Sequence, residues 1–159
     1  MTLPPFRRVV TAHDDHGSSK IALDENLSFS DVGPGATMAW AWSTATVPAD
    51  NSGSPSAVEV PLGQESGSIV RIVDFGPGSF SPMHRTLTID YGVVLSGTIE
   101  LTLDDGTTTS VGPNSVIVQR GTNHVWRNAS ATEFARVLFV LIEARPVLHD
   151  GAALNAGGL

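Results

Sequence analysis

Hydrophobic and polar residues alternate in short runs through the second half of the chain. Between residues 67 and 143 these runs are rich in Val, Ile, Leu and Phe, and Gly, Asp, Asn and Pro separate them. This pattern is typical of strands joined by turns. The predicted strands lie in SIVRIVDF, LTIDYGVVLSG, TIELTLDDG, TTTSVG, SVIVQRG, HVWRN and ARVLFVLIEA. So many short strands in about 80 residues predict an antiparallel sandwich or barrel.

The clearest hairpin lies in TIELTLDDGTTTSV. Ile99, Leu101 and Leu103 would face one side of it, because side chains alternate along a strand. Asp105-Gly106 supplies the residue types that a tight turn requires. ARVLFVLIEA is hydrophobic enough for a buried helix, but its Val and Ile content and its place after six strands favour a buried strand.

Turn residues dominate the first third of the chain. HDDHGSS, DVGPG and VPADNSGSPS predict loops. RRVVTA, KIALD and TMAWAWSTA, which lie between the loops, predict short strands, and period-two alternation would place Trp40 and Trp42 on one face. ADNSGSPSA is interpreted as a loop rather than a domain linker.

We therefore predict one structural domain in three parts. Residues 1–66 would form N-terminal strands and loops that pack on the barrel, and residues 67–145 would form the barrel core. Residues 146–159 are small and Gly-rich, which predicts a flexible tail with at most one helical turn.

Composition and charge narrow the class of partner. The 159 residues suffice for one domain with a real core, and 16 Gly and 10 Pro favour turns over long helices. A net charge of −7 disfavours nucleic acids and anionic membranes. The chain has no Cys, and no run of about 18 apolar residues or signal-peptide pattern is found. We expect a cytoplasmic protein with a small-molecule partner.

Eight of the nine basic residues are arginines, whose forked guanidinium suits carboxylates. Five lie in the central segment, where they are either surface residues or anion contacts: Arg71, Arg85, Arg120, Arg127 and Arg136. The motifs G-x-S-x-G, G-x-x-x-x-G-K and G-x-G-x-x-G are absent, so hydrolase, NTPase and dinucleotide-binding functions lack their usual support.

Two histidines lie inside the predicted strands. His84, Thr86 and Asp90 have the same parity, so all three would face one interior in extended chain. His124 would join them from a later strand, with Trp126 on its side. Titratable side chains are costly to bury in an apolar barrel, and burial shifts their pKa values toward those useful for proton transfer. We therefore predict a functional site here.

Both segments resemble the two motifs of the cupin superfamily, which are small jelly-roll barrels. The first motif runs glycine, five residues, His-x-His, three or four residues, glutamate, six residues, glycine. The second runs glycine, five residues, Pro-x-Gly, two residues, histidine, three residues, asparagine. The matching positions here are Gly78, His84, Thr86, Asp90 and Gly97, then Gly121, His124 and Asn128.

The second motif departs from the pattern at two points. Asn114 stands for its leading glycine, which Asn tolerates because it enters the left-handed region readily, and the proline is missing from a segment one residue shorter. The segments HRT, IDYG and QRGTNH resemble those of small bacterial and fungal cupins, some of which accompany pathways for aromatic or polyketide acids. The resemblance implies an all-β fold, a double-stranded β-helix or jelly-roll barrel.

The resemblance also implies a metal site, with changes. His84 and His124 keep the family's ligands, Asp90 replaces a glutamate, and Thr86 replaces the middle histidine. A two-His, one-carboxylate set is the type that holds Fe(II), although Thr is a poor ligand and Asp is shorter than Glu. Two alternatives stay open: a divalent metal (Fe, Zn, Mn or Ni) held by His84, Asp90 and His124, or the same three residues acting without a metal.

Other residues are candidates for contacts to a substrate. Trp126 would form a wall for a flat substrate, and Arg120 and Asn123 would reach the pocket mouth from the loop before His124. The predicted substrate-binding residues are Trp126, Arg120, Asn123, Thr86 and Trp40.

Three functions are compatible with this site. The leading hypothesis is a lyase, a decarboxylase or dehydratase for a carbonyl-bearing or aromatic, polyketide-like acid, with Asp90 and His124 moving the proton. The alternatives are an Fe(II) dioxygenase and a non-catalytic small-molecule-binding protein. The resemblance further implies a homodimer that pairs through N-terminal strands or sheet faces, which would hide edge strands.

Overall fold

The computed structural model of the chain describes residues 3–52 and 67–158, and the regular elements among them are β-strands. The strands are β1 Arg7–His13, β2 Ser19–Asn26, β3 Ser30–Gly33, β4 Ala36–Thr44, β5 Ser68–Phe75, β6 Thr88–Ser96, β7 Ile99–Leu103, β8 Thr108–Val111, β9 Val116–Arg120, β10 His124–Arg127, β11 Ala135–Glu143, β12 Leu148–His149 and β13 Ala152–Ala153. Strands β5 to β11 confirm each of the seven strands that the alternation predicts.

Two antiparallel sheets make up the barrel. One has the order β3-β4-β5-β11-β6-β9, and the other has the order β10-β7-β8. Strands β1 and β2 pair as a separate hairpin, as do β12 and β13. This architecture confirms the predicted all-β jelly-roll fold.

The core lies between the two sheets, and β11 is its central strand. It pairs with β5 along one edge and with β6 along the other. Val137, Phe139 and Leu141, at alternate positions of β11, are all buried. Each such side chain contributes roughly 1.5–3 kcal/mol by leaving water. This central position accounts for the nearly continuous hydrophobicity of the ARVLFVLIEA segment, which is a strand and not a helix.

The N-terminal third contributes more than a layer packed on the barrel. Strands β3 and β4 belong to the six-stranded sheet, and β4 pairs with β5 from Ala36 opposite Phe75 to Thr44 opposite Ser68. A bulge interrupts β4, because Trp40 pairs with Arg71 whereas Trp42 pairs with the adjacent Val70. Adjacent residues of β5 face opposite sides, so the two tryptophans do not share a face. The prediction that they do is wrong because the bulge breaks the alternation.

Several turns use the positive backbone angles that their residues suggested. Asn114 has φ 66, which confirms that it replaces the motif glycine in the left-handed region. Gly97, with φ +70, is also sterically restricted, since a Cβ there would lie 2.3 Å from the carbonyl oxygen of Phe134. Gly106, with φ +83, closes the β7–β8 hairpin as expected.

The C-terminal segment differs from the predicted tail. Instead of a helical turn it forms the β12–β13 hairpin, because Asp150 and Gly151 take φ 50 and 78, as in a tight hairpin turn. Gly157 then pairs with Arg85, whose N–H donates to the Gly157 carbonyl at 2.9 Å. The predicted ADNSGSPSA loop lies outside the described residues from position 53 onward. Among the described residues, no helix long and apolar enough to cross a bilayer is found.

A buried ion pair ties the N-terminal segment to the large sheet. The Arg136 guanidinium donates from Nε and from Nη2 to the two carboxylate oxygens of Asp74, each at 2.6 Å. It also donates to the Pro4 carbonyl at 2.7 Å and lies over the rings of Phe6 and Phe29. One side chain therefore joins β5, β11 and the segments that flank the β1–β2 hairpin.

Arg136→Met is expected to lower the free energy of unfolding by about 3–5 kcal/mol, because it leaves the buried Asp74 carboxylate without its partner. Urea unfolding measures this loss. Arg7→Met is the matched control, since Arg7 makes the same two-point contact with Asp24 at 2.7 Å on the exposed hairpin. The control is expected to cost much less because its ion pair is exposed to solvent, and an equal loss in both variants would contradict this account.

Candidate functional site

A cavity of about 250 Å³ lies in the barrel interior, lined by β3, β4, β5, β11 and β6 of the large sheet and by β10 of the small one. Its polar lining includes His84, Asp90 and His124, so the structure brings together the three predicted catalytic residues. Its apolar lining consists mainly of Val32, Met38, Val73, Phe75, Phe80, Trp126 and Phe139.

Two backbone hydrogen bonds hold the histidines side by side. The His84 N–H donates to the His124 carbonyl, and the His124 N–H donates to the His84 carbonyl, each at 2.9 Å. The imidazole centroids are 4.1 Å apart and the ring planes are tilted by 51°. This bridge joins the segment before β6 to the start of β10.

Both imidazoles are neutral and oriented by the backbone. Nδ1 of His84 lies 2.9 Å from the Pro82 carbonyl, and Nδ1 of His124 lies 3.0 Å from that of Thr122. A carbonyl only accepts, so each Nδ1 carries the proton and each Nε2 keeps a free lone pair. Burial lowers the pKa of His84, and burial together with the neighbouring His84 lowers the pKa of His124 to about 4.

Asp90 is buried in β6 and held by three neutral donors. Thr88 donates to Oδ1, and Thr86 and the Gln119 amide donate to Oδ2 at 3.2 and 3.4 Å. Burial raises the pKa of Asp90, while the Thr88 hydroxyl and then the Arg71 charge act against that rise. Thr86, at the position of the family's second histidine, therefore serves as a hydrogen-bond donor to the carboxylate.

Arg71 is a polar residue of this cavity that the sequence analysis did not place in the site. It lies in β5 opposite Trp40 and Phe139, and it lines the same cavity as Asp90. Its Nε is buried without a hydrogen-bond partner among the described residues, and burial lowers its pKa, although the Asp90 charge raises it. One signal was available: Arg71 shares the parity of the buried Ile69, Val73 and Phe75.

The aromatic candidates lie at different places. Trp126 lines the cavity as predicted, with its ring 5.5 Å from that of His124 and 5.3 Å from that of Phe139. Trp40 faces the same side of the sheet as Arg71 and packs against the core. It is not among the described residues that line the cavity.

Arg120 and Asn123 do not reach the histidines. They line a separate groove of about 500 Å³, with Arg85, Leu101 and Leu103. The reason is the register of β9: Gln119 pairs with Asp90 and faces the interior, so Arg120, which pairs with Ile89, faces away. The predicted position of these two residues at the mouth of the histidine cavity is corrected accordingly.

The donor geometry differs from that of the predicted metal site. Within residues 3–52 and 67–158, no three His, Asp or Glu side chains lie in an arrangement that could hold a metal ion. The Asp90 oxygens accept hydrogen bonds from Thr86, Thr88 and Gln119. The two imidazoles keep free Nε2 atoms, but the three residues together do not fit a ligand group. Metal binding by His84, Asp90 and His124 stays a prediction, and the chemistry below depends only on groups of the chain.

Comparison with known proteins identifies the family. The model of the cupin domain matches residues 71–141. A phomopsin biosynthesis cluster protein D from Diaporthe leptostromiformis is 41% identical over 93% of this chain and 84% of its own length. This chain is a cupin. A cupin-domain-containing oxidoreductase, srdD of Neurospora crassa, is 36% identical over 87% of this cupin and 70% of its own length.

Solved structures share the fold at low identity. The polyketide cyclase RemF from Streptomyces resistomycificus has a TM-score of 0.54 and 22% identity, covering 79% of this cupin and 83% of that chain. The cupin domain of Schizosaccharomyces pombe Cnp3 has a TM-score of 0.53 and 15% identity, covering 86% and 87%. These similarities confirm the jelly-roll fold.

The lowered pKa of His124 is expected to make stability depend on pH. The native imidazole stays neutral down to about pH 4, whereas the unfolded one takes up a proton below about pH 6.5. The resulting stabilisation is complete above pH 6.5 and is lost as the pH falls toward 4. Urea unfolding in chelator should show a smaller loss between pH 7.5 and 5 for His124→Gln than for the wild type.

The control for this pH series is His149→Gln, because the His149 side chain is 70% exposed. It should follow the wild-type curve. A His124→Gln variant that loses as much stability as the wild type over this pH interval would contradict the buried neutral state.

Proposed function

We propose that this cupin is a biosynthetic enzyme of lyase type that acts on a small carbonyl-bearing or aromatic, polyketide-like acid inside the barrel. The observation that carries the proposal is the convergence of two neutral imidazoles and one carboxyl group on a single apolar-walled cavity. Burial raises the pKa of Asp90 toward the range of a general acid, and the two neutral imidazoles have Nε2 atoms that can accept a proton.

His124 is the base in this proposal. Its Nδ1–H is fixed on the Thr122 carbonyl, so its Nε2 accepts a proton from carbon when a carbonyl group stabilises the resulting enolate. In a dehydration, the enolate electrons then expel a hydroxyl group, which takes a proton from the carboxyl group of Asp90 and leaves as water. The His124 proton returns to Asp90 through solvent, which restores the starting state.

A decarboxylation requires only the acid. The bond between the carboxylate carbon and the adjacent carbon breaks, carbon dioxide leaves, and the electron pair moves onto the neighbouring carbonyl as an enolate. Asp90 then donates its proton to the carbon of that enolate and takes up a replacement proton from solvent. Burial favours the protonated form of Asp90, and the apolar walls exclude water that would compete as a proton donor.

The relatives support a role in biosynthesis. Two of them are described as phomopsin biosynthesis cluster proteins, and a third, 33% identical over 96% of this cupin and 90% of its own length, is an oryzines biosynthesis cluster protein from Aspergillus oryzae. A small-molecule substrate in a cavity of about 250 Å³ fits such a role.

Oxidation is the second candidate, because several relatives are described as cupin-domain-containing oxidoreductases. An Fe(II) dioxygenase would contain iron and consume oxygen with its substrate. Metal analysis of protein purified without chelator, together with an oxygen electrode, separates the two candidates. Iron near one equivalent with substrate-dependent oxygen uptake would replace the lyase proposal by this one.

Asp90→Asn is expected to lower turnover about 10²–10⁴-fold in either reaction, and His124→Gln is expected to do so in a dehydration, the usual contribution of a positioned acid or base. The assay is proton NMR in D₂O with chelator, over a panel of 2-oxo, 3-oxo and 3-hydroxy aromatic acids. It follows deuterium incorporation, carbon dioxide loss and alkene formation.

The control is Asp105→Asn, a carboxylate in the exposed β7–β8 turn. Full activity in Asp90→Asn would contradict the proposed acid. Ligand binding without deuterium incorporation or product, across the panel, would support the third reading, a non-catalytic small-molecule-binding cupin.

We also propose that this cupin forms a homodimer. Strand β9 is an edge of the large sheet, and Val116 and Val118 on it are 63% and 54% exposed, next to the exposed Tyr91 and Leu95 of β6. An apolar face beside a free edge is a liability in a monomer, and a twofold axis would cover it with the same face of a second copy. Light scattering after gel filtration is expected to give twice the chain mass.

Val116→Lys with Val118→Lys should shift this cupin to a monomer, whereas Thr108→Lys with Ser110→Lys on the polar β8 should not. A wild-type protein that is monomeric at micromolar concentration would contradict the dimer.

A further inference from the structure

Arg71 lines the cavity, and its guanidinium lacks a full set of hydrogen-bond partners among the described residues. It lines the cavity with His84, Asp90 and His124, and the surrounding wall is made of aliphatic and aromatic side chains. Its Nε donor is buried and has no hydrogen-bond partner among the described residues. A buried donor without an acceptor is unfavourable, and a buried cation without a full partner is more so.

Asp90 does not satisfy this arginine. The Asp90 charge acts on Arg71 at a distance, but the carboxylate oxygens accept hydrogen bonds from Thr86, Thr88 and Gln119. Arg71 is therefore left with donor capacity that faces a cavity.

Arg136, which is buried, shows how this sheet pairs a structural guanidinium. Arg136 donates to both oxygens of Asp74 at 2.6 Å and to the Pro4 carbonyl at 2.7 Å. Its Nε has a partner, whereas the Nε of Arg71 has none. The Nε atoms of Arg8 and Arg85 also lack a partner among the described residues. Arg71 differs from both because it lines the cavity that holds Asp90 and the two histidines.

We propose that Arg71 is the anion anchor of the cavity, and that the substrates are small planar acids whose carboxylate binds its guanidinium while an aromatic or conjugated body lies against Trp126 and Phe139. This proposal rests on the function proposed above, because it names the class of substrate that the enzyme would bind in the same cavity. The planar fork of an arginine matches the two oxygens of a carboxylate.

The cavity walls support the planar body. The rings of Trp126 and Phe139 meet edge to face at 5.3 Å, and Met38, Val73 and Phe75 complete an apolar wall. Phe80, which is 66% exposed and lines the same cavity, lies at its opening beside Val32. A carboxylate at Arg71 would place the rest of the molecule among these apolar groups and near the free Nε2 of His124.

The probes are cinnamate and cinnamamide, which share a planar body and differ in charge. Titration calorimetry and thermal unfolding measure their binding to the whole chain, without turnover. Cinnamate is expected to bind and to raise Tm, and cinnamamide is expected to bind at least about tenfold more weakly, the usual loss for a charged hydrogen bond.

Three variants assign the anchor. Arg71→Met should abolish the difference between the two probes, and Arg71→Lys, which keeps the charge beside Asp90, should reduce the affinity for cinnamate about tenfold. Arg120→Met, which removes the exposed arginine of the separate groove, should leave both affinities unchanged. In the absence of probe, Arg71→Lys is expected to have the wild-type Tm. If the role of Arg71 were structural, the same substitution would lower Tm.

Equal affinity of the wild type for both probes, no binding of cinnamate, or loss of its binding in Arg120→Met would each overturn the anchor. Discrimination that depends on Arg71, in a protein that shows no deuterium incorporation with any acid, would keep the anchor and overturn the lyase. Deuterium incorporation that persists in Arg71→Met with unchanged KM would keep the lyase and overturn the anchor.

Discussion

Two backbone hydrogen bonds between His84 and His124 bring the halves of the candidate site together. They join the segment before β6 in the six-stranded sheet to β10 in the three-stranded sheet, so the two sheets meet at the histidines. The 4.1 Å separation of the imidazoles follows from this backbone bridge. The tautomers follow from two further contacts, because the carbonyls of Pro82 and Thr122, each two residues before its histidine, accept the Nδ1 protons.

The interior that results has unusual electrostatics. Arg71 and Asp90 are ionisable groups in an apolar cavity, and the two histidines beside them are neutral because burial opposes their protonation. Asp90 accepts donors from three neutral side chains, one of which, Thr86, occupies the position of a metal ligand in the family motif. The same carboxylate is thus oriented by hydrogen bonds within the chain.

The threonine at position 86, where the family motif has a histidine, agrees with the proposed proton-transfer chemistry. A threonine in place of a histidine removes one ligand and adds a donor to Asp90. Burial raises the pKa of that carboxyl group, which suits an acid, and His124, neutral at pH 7, suits a base. Arg71 supplies the positive charge that an acidic substrate needs. The proposed proton transfers use only groups of the chain.

Much of the fold was predictable because strand alternation is a local property. The runs from SIVRIVDF to ARVLFVLIEA became β5 to β11, and the motif spacing correctly brought His84, Asp90 and His124 into one cavity. Asn114 also took the left-handed conformation that its place in the motif required.

Two of the failures have a common physical origin, which is that strand pairing decides where side chains point. A bulge in β4 separated Trp40 from Trp42, and the register of β9 turned Arg120 away from the histidines. The other two had a local signal in the sequence. Asp150-Gly151 has the residue types of a tight turn, and Arg71 shares the parity of the buried Val73 and Phe75 of β5.

The central claim is that the polar cluster of Arg71, His84, Asp90 and His124 binds a small planar acid. A crystal structure of the protein with cinnamate tests it most directly. The account predicts both carboxylate oxygens within hydrogen-bond distance of the Arg71 guanidinium and the conjugated body against Trp126 and Phe139. Cinnamate bound instead in the groove of Arg85 and Arg120, with the barrel cavity empty, would contradict it.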